Sequence, residues 1–397
     1  MIQLSKVRRY IFLIYIFLLP LFASNSFFGK IPFSLIFTTI LLYLCLLQLV
    51  KRRKEILYFT FEDKLLLIFI FICIISIIFS NDIGNSFLYF IGLLPQILMY
   101  IFMKNQFKEE KIKIIKVLVL SSCMVAIINI WQVREAIKIY GYKSNDIFAS
   151  INYYGSIVAF TIPLIIYLIK KEKKKVYYII LLINVFSSLL SFSKVALGLI
   201  GIYFIYYLYL IFRKKGYFLM KLIIVALIII VISFGIKYIS NNNSINNVNL
   251  NKMIENFISG ESFESRKILN NVSENMIKDH LLTGVGIGNY KLSTYYYSEL
   301  YYRYHPGSEA HDLMLSIFAE VGIFGIIIFI FILFRCVYIF KKNKEIDFFM
   351  YAIGVILSIA FYGVGLKNWY LWILIAMATV TVNMKGEKHD IKYKDYN

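Results

Sequence analysis

An all-α fold, a polytopic membrane helical bundle, is what this sequence predicts, and three observations carry that expectation. Of the 397 residues 60% are hydrophobic and the mean hydropathy is +0.71, whereas a soluble domain is closer to half apolar. The apolar residues gather into runs near the roughly 20 needed to cross a bilayer as helix. The Lys and Arg residues fall in short clusters between those runs. That is the pattern of topology determinants, so the net charge of +20 does not point to nucleic acid.

About 12 transmembrane helices follow in order, over 10–28, 32–50, 65–79, 87–102, 114–133, 151–169, 176–192, 195–212, 219–239, 313–340, 348–365 and 369–383. The pair 176–192 and 195–212 is separated by Ser193 and Lys194 alone. With Lys6, Arg8 and Arg9 placed in the cytoplasm, alternation puts most of the 43 basic residues inside, including Lys51–Lys54, Lys170–Lys175 and Arg213–Lys215. Positive charge in short loops stays inside, so an even number of spans with both termini cytoplasmic is expected. The first apolar run reads as a retained helix, not a cleaved signal, because no small-x-small site precedes a mature domain. The organisation is then spans 1–9 over 1–239, an extracytoplasmic loop over 240–312, spans 10–12 over 313–384, and a polar cytoplasmic tail over 385–397.

Cys45, Cys73, Cys123 and Cys336 lie inside apolar runs without C-x-x-C spacing. They read as small buried hydrophobes, and no disulfide framework, metal site or cofactor is expected. The chemistry must therefore come from the one long loop.

After the Asn-rich stretch Asn241–Asn251, Glu264–Lys278 predicts an amphipathic helix with Ile268, Leu269, Val272 and Met276 on one face. It is expected to lie along the membrane interface, with Arg266 on the flank of the apolar face and within reach of headgroup phosphates. Gly284, Gly286 and Gly288 alternate as G-x-G-x-G with no surrounding βαβ unit, so this is no dinucleotide fingerprint. Glycines there permit positive φ and close backbone approach, which fits either a tight turn or an anion-binding nest. The tyrosine-rich run Tyr290–Tyr304 suits a membrane interface and the stacking of sugar rings equally.

His305 and His311 come next, then a predicted helix from Leu313 to Phe340. At 1.5 Å per residue it is about 42 Å long, against a hydrocarbon core of about 30 Å. Measured from Lys341, the core ends near Glu320 or Val321, with His311 roughly two turns above that boundary. Asp312 is placed as an N-cap. The spacing of His311 and Glu320 puts them on opposite faces of any helix carrying both, so a direct hydrogen bond between them is not expected.

Arg266, Gly284/Gly286/Gly288, His311-Asp312, Glu320, Gly322 and Gly325 together resemble the bacterial O-antigen ligase and O-antigen polymerase superfamily. In that family an outer-loop Arg precedes a G-x-G segment, a His-Asn motif and a Glu-x-Gly-x-x-Gly element. Upstream, Phe148–Asn152 with Pro163, and Ser191-Phe-Ser193-Lys194, resemble its Asn-containing span and its Ser-Arg element. The resemblance covers roughly 145–340. Asp312 stands where the family has Asn, and Lys194 where it has Arg.

The resemblance implies a glycosyltransferase acting at the outer face of the bacterial plasma membrane. The donor would be an undecaprenyl-diphosphate-linked glycan, and the acceptor a hydroxyl of a glycan or glycolipid. His311 is the candidate base, since imidazole titrates near neutrality. Arg266 is the first candidate for holding the departing diphosphate, with Lys194 and Arg303 beside it as basic substrate-binding residues. Gly284, Gly286, Gly288, Asp312 and Glu320 complete the expected substrate-binding set. No D-x-D occurs in the chain, which speaks for a metal-independent reaction. Two readings from other classes stand beside this one: a lipid-linked glycan flippase, and a non-catalytic membrane assembly protein. A flippase usually carries ionisable or broken-helix elements at mid-membrane, where these spans are nearly free of charge.

Overall fold

A computed structural model describes residues 2–20, 40, 60–135, 151–191, 193–213, 261–297, 312–362 and 365–394. The expected spans at 32–50 and 219–239 lie almost wholly outside them. The described chain is helical, with no strand among the described residues. In order come α1 (Ile2–Leu18), α2 (Phe61–Ile78), α3 (Ile83–Ile91), α4 (Leu94–Glu135), α5 (Ile151–Glu172) and α6 (Val176–Leu190). After these come α7 (Lys194–Arg213), α8 (Glu261–Asp279), α9 (Tyr290–Tyr297), α10 (Leu313–Lys342), α11 (Ile346–Tyr362) and α12 (Trp369–Lys394).

Four stretches are long and apolar enough to cross a membrane: Ile83–Lys104, Glu110–Arg134, Tyr153–Glu172 and Leu313–Lys342. Shorter apolar helices run over Arg9–Leu18, Val176–Leu190, Lys194–Leu210, Ile346–Phe361 and Trp369–Val382. Two boundaries differ from the sequence reading. The span expected at 87–102 is divided between α3 and the start of α4, and α4 continues through the span expected at 114–133 with a bend at Glu110 (φ −131°, ψ 36°); the Lys- and Glu-rich link is made of good helix formers. Likewise α12 continues to Lys394, because no proline interrupts the polar tail.

Local signals fix where helices begin. Thr60 and Asp63 form a reciprocal capping box at the head of α2: Thr60 Oγ1 accepts from Asp63 N (3.2 Å), and Asp63 Oδ2 accepts from Thr60 N (2.6 Å). Asp82 caps α3 by accepting from Asn85 N (2.9 Å). At the centre of the bundle α5 packs against α4, α6, α7 and α11, and Ile157, Val158, Ala159, Leu164, Ile165 and Leu168 are fully buried. A helix apolar on all sides belongs inside a bundle. On the periphery the pattern inverts. Leu67, Phe71, Ile74 and Ile78 on α2, and Phe324, Ile327 and Phe334 on α10, form outward apolar stripes. Stripes of that size need a lipid cover, not water.

One end of the bundle is a rim of ion pairs, each joining two elements. Arg9 of α1 meets Glu110 of α4, Lys104 of α4 meets Asp63 of α2, and Lys116 of α4 meets Glu172 of α5. Lys170 of α5 meets Asp347 of α11, and Arg335 of α10 meets Glu62 of α2. Tyr100 and Tyr207 add hydrogen bonds to Asp63 and Asp347 (2.6 and 2.8 Å). Exposed pairs contribute little, but an acid buried like Glu62, 5% exposed, is costly once its partner is gone. Arg335→Ala should therefore lower stability by about 3 kcal/mol, and adding Glu62→Gln should recover a substantial part. Thermal unfolding of the detergent-solubilised protein measures both; an unchanged midpoint for Arg335→Ala would mean that the pair contributes nothing.

Candidate active site

At the end of the bundle opposite the ion-pair rim, α10 is broken. Gly322 adopts φ 78° and ψ −176° inside the helix, a left-handed value that L side chains avoid. The break releases helical hydrogen-bonding groups, and the glycine-rich turn takes them up. Val285 N donates to Ala319 O (2.8 Å), Gly286 N to Glu320 O (3.0 Å), and Ile323 N to Leu281 O (2.9 Å). Buried backbone groups need partners, and this seam supplies them for both segments at once.

The approach is too close for side chains. A Cβ on Gly284 (φ 71°) would lie 2.3 Å from the Glu320 carbonyl carbon, and one on Gly322 would lie 2.1 Å from Leu282 O. The other edge of the turn rests on the end of α2, where Asn81 N donates to Val285 O (3.1 Å) and Ile287 N to Ser76 Oγ (3.3 Å). Gly286 (φ 102°) abuts Ser80 and Ser86, and Gly288 (φ 78°) abuts the ring of Tyr89. Gly284 N is in turn bonded to His280 O (2.9 Å), which ends α8. The amides of residues 284–287 are thus all engaged within the protein, as a packed turn requires.

Two buried polar side chains lock the turn. Asn289, with no exposed surface, donates through Nδ2 to Ser80 Oγ (2.5 Å) and Asp82 O (3.1 Å), and its Oδ1 accepts from Asn85 Nδ2 (2.6 Å). Glu320, 6% exposed, accepts from Tyr290 N through Oε1 (3.1 Å). Tyr290 opens α9, so a carboxylate sits where the helix dipole favours negative charge. Tyr290 OH reaches Leu269 O (3.0 Å) and Ser273 Oγ (2.8 Å) on α8. Val272, Met276, Val285, Tyr290 and Ala319 form a small core over the seam. Val272 and Met276 of the apolar face of α8 are therefore covered by protein, through α10 and the turn, while Ile268 and Leu269 of that face are half-buried.

Gly284, Gly286, Gly288 and Glu320 are brought together here. Asp312 is the N-cap of α10, its Oδ1 accepting from Met314 N (2.8 Å) and Leu315 N (3.4 Å), about 12 Å along the axis from Glu320. Arg266 stands on α8 and is partly exposed. Seven residues from Ser273, it projects from the same side of the helix as that buried serine, two turns away. Lys194 opens α7, following Ser191 and Ser193, which are 2% and 3% exposed; Ser191 is seated against Gly155 of α5. The direction of α6 and α7 brings Lys194 to the same end of the bundle as the turn. His311 and Arg303 lie outside the described residues. The sequence reading missed Asn289, Ser80, Asn85 and Tyr89. The usable signal for these was Asp82–Ser86, a short polar link between two apolar runs.

The seam makes its own predictions. Gly322→Ala should cost at least about 3 kcal/mol, from left-handed backbone strain plus overlap with a carbonyl. Gly201→Ala, with open space around it, should be neutral or slightly stabilising; equal unfolding midpoints for the two variants would refute the seam. Glu320→Gln keeps an oxygen for Tyr290 N and should preserve hydrogen-exchange protection over 285–297. Glu320→Ala should lose about 1–3 kcal/mol of it.

Residues 178–330, from α6 through the break in α10, match the family model described as O-antigen ligase. Among curated proteins, none matches this chain. The matched segment contains Lys194, Arg266, the glycine turn, Asp312, Glu320 and Gly322 in the order and setting described above. Apolar helices with outward apolar stripes indicate a membrane protein, and over residues 178–330 it is similar to the O-antigen ligase family.

Proposed function

We propose that this protein transfers a glycan from an undecaprenyl-diphosphate carrier to a sugar hydroxyl at the outer face of the bacterial plasma membrane. The observation that carries the reading is the broken-helix seam. It lies at the end of the bundle away from the basic rim and within the segment that matches O-antigen ligase. The rim, rich in Lys and Arg, is assigned to the cytoplasm by the positive-inside rule, together with both termini. The seam end is then the outer face, where a lipid-linked donor presents its diphosphate while its tail stays in the bilayer.

In the proposed reaction the acceptor hydroxyl oxygen attacks the anomeric carbon of the donor sugar. The bond from that carbon to the diphosphate oxygen breaks, and the lipid diphosphate leaves with the electron pair. His311 takes the hydroxyl proton. Arg266, with a planar fork suited to phosphate oxygens, stabilises the leaving group; Lys194 and Arg303 are the further basic residues assigned to the donor. Glu320 and the three glycines contribute by shape. They hold α9, α10 and the turn in register, and so fix the Asp312 cap of α10, the residue that follows His311 in the sequence. Successive transfer to the same chain would make a capsular or cell-wall polymer, and transfer to another lipid would make a ligase; polymerisation is the mode preferred here.

The test is a purified transfer assay with a lipid-diphosphate-linked oligosaccharide in the presence of EDTA. Wild type should give glycan ladders, whereas His311→Ala should fall by a factor on the order of 10²–10⁴ while remaining inserted and folded. Arg266→Ala should reduce donor use at least about tenfold, with Arg266→Lys recovering only part of it because the fork is lost. His280→Ala, at the edge of the turn, should remain active. Full activity in correctly inserted His311→Ala would overturn the mechanism, and labelled lipid crossing a proteoliposome bilayer without transfer would make the protein a transporter.

A further inference from the structure

Beside the seam, on its exposed side, lies a cleft of about 620 Å³ between the α2–α3 link and α9. Asn289 and Ser293, only 0% and 2% exposed, form its floor, and Asn81, Asp82, Tyr295 and Tyr296 form its walls. Tyr296 is 85% exposed and Tyr295 56%. We propose that this cleft binds the saccharide of the acceptor glycan; the choice of ligand rests on the glycan-transfer reading above.

The chemistry of the lining selects a neutral, hydroxyl-rich ligand. Among the described residues the cleft is lined by no Lys or Arg and by one carboxylate, Asp82, a lining that suits a neutral ligand better than a diphosphate. The Asn81 amide and the Asp82 carboxylate at the walls offer both donors and acceptors, as vicinal sugar hydroxyls require, while the buried Asn289 shapes the floor with its amide already engaged in the turn. Exposed tyrosine rings give flat apolar faces for the C–H side of a pyranose, and Leu292 and Ile83 extend that apolar border. Asp82 can serve without loosening the fold: its Oδ1 caps α3, a role that an asparagine oxygen fills as well. The floor residue Asn289 also belongs to the turn that packs on Glu320 and Gly322. A sugar seated in the cleft is thereby registered against the same rigid seam that orients the head of α10. A cleft fixed to that frame suits a chain that must be gripped while its terminal hydroxyl reacts.

The experiment uses the full-length protein in nanodiscs. The probe is a set of oligosaccharides obtained by partial hydrolysis of the surface polysaccharide of the organism that encodes the protein. Binding is followed by saturation-transfer NMR, and transfer is followed in parallel with the lipid-linked donor. Wild type should bind the oligosaccharides and not inorganic pyrophosphate at this cleft. Tyr296→Ala should weaken binding about tenfold and raise the KM for acceptor by a similar factor, leaving the KM for donor unchanged. Tyr296→Trp, which keeps a ring face, should bind as wild type, and Asp82→Asn should weaken binding about three- to tenfold. Active wild type with binding indifferent to Tyr296→Ala, or a change confined to donor KM, overturns the cleft while the transferase reading survives. Tyr296-dependent binding without any transfer supports the cleft and removes the transferase reading. Neither binding nor transfer removes both.

Discussion

The site depends on one broken helix. An unbroken α10 would satisfy its own carbonyls, and the glycine turn would have nothing to pair with. The left-handed Gly322 instead makes Ala319 O, Glu320 O and Ile323 N available to Leu281, Val285 and Gly286. Irregular backbone near a bilayer survives only when protein satisfies it, and here two irregular segments satisfy each other. Because both carry glycine at the contact, the backbones meet at a separation that any Cβ would forbid. The turn, α9 and the cap of α10 then become one body, further joined by Glu320 to Tyr290 and by Asn289 to Ser80 and Asn85.

The two ends of the bundle are held by different means. At the rim, charged side chains near water cross-link helix termini in pairs, a mode that tolerates loss of any one exposed contact. At the seam the links are backbone hydrogen bonds and buried amide and carboxylate groups. These are strong when complete and costly when one is missing. The asymmetry divides the labour: the rim keeps the helices bundled, and the seam fixes a few atoms closely.

Much of this was legible in the sequence, and the rest was hidden for identifiable reasons. Apolar run length gave the all-helical class, though not a count of spans, and Asp312 before Leu313 gave the cap, since each is a local property of consecutive residues. The four apolar residues of the amphipathic helix were correctly grouped on one face, but the cover of Val272 and Met276, which is protein, was assigned to lipid. A moment of hydrophobicity says which side is buried, not what buries it. Glu320 was placed at the membrane boundary, yet its partner Tyr290 N lies 30 residues away, a contact with no sequence period. Gly322 read as part of a motif within a continuous helix, because a single glycine in an apolar run signals neither kink nor continuation by itself. The Asn289, Ser80 and Asn85 network escaped because it joins segments about 200 residues apart.

The engaged amides of the turn also decide how charge must be handled. A glycine-rich loop can cradle phosphate when its N–H groups point into open space. Here Gly284 N serves His280 O, Val285 N and Gly286 N serve the broken helix, and Ile287 N serves Ser76 Oγ. No nest of those amides is left to face a ligand. Under the proposed transfer an anionic leaving group would therefore be met by cationic side chains, for which Arg266 on α8 and Lys194 at the head of α7 are the described candidates. Glycine in this turn works through the absence of a side chain, and the chemistry is left to residues that the turn positions.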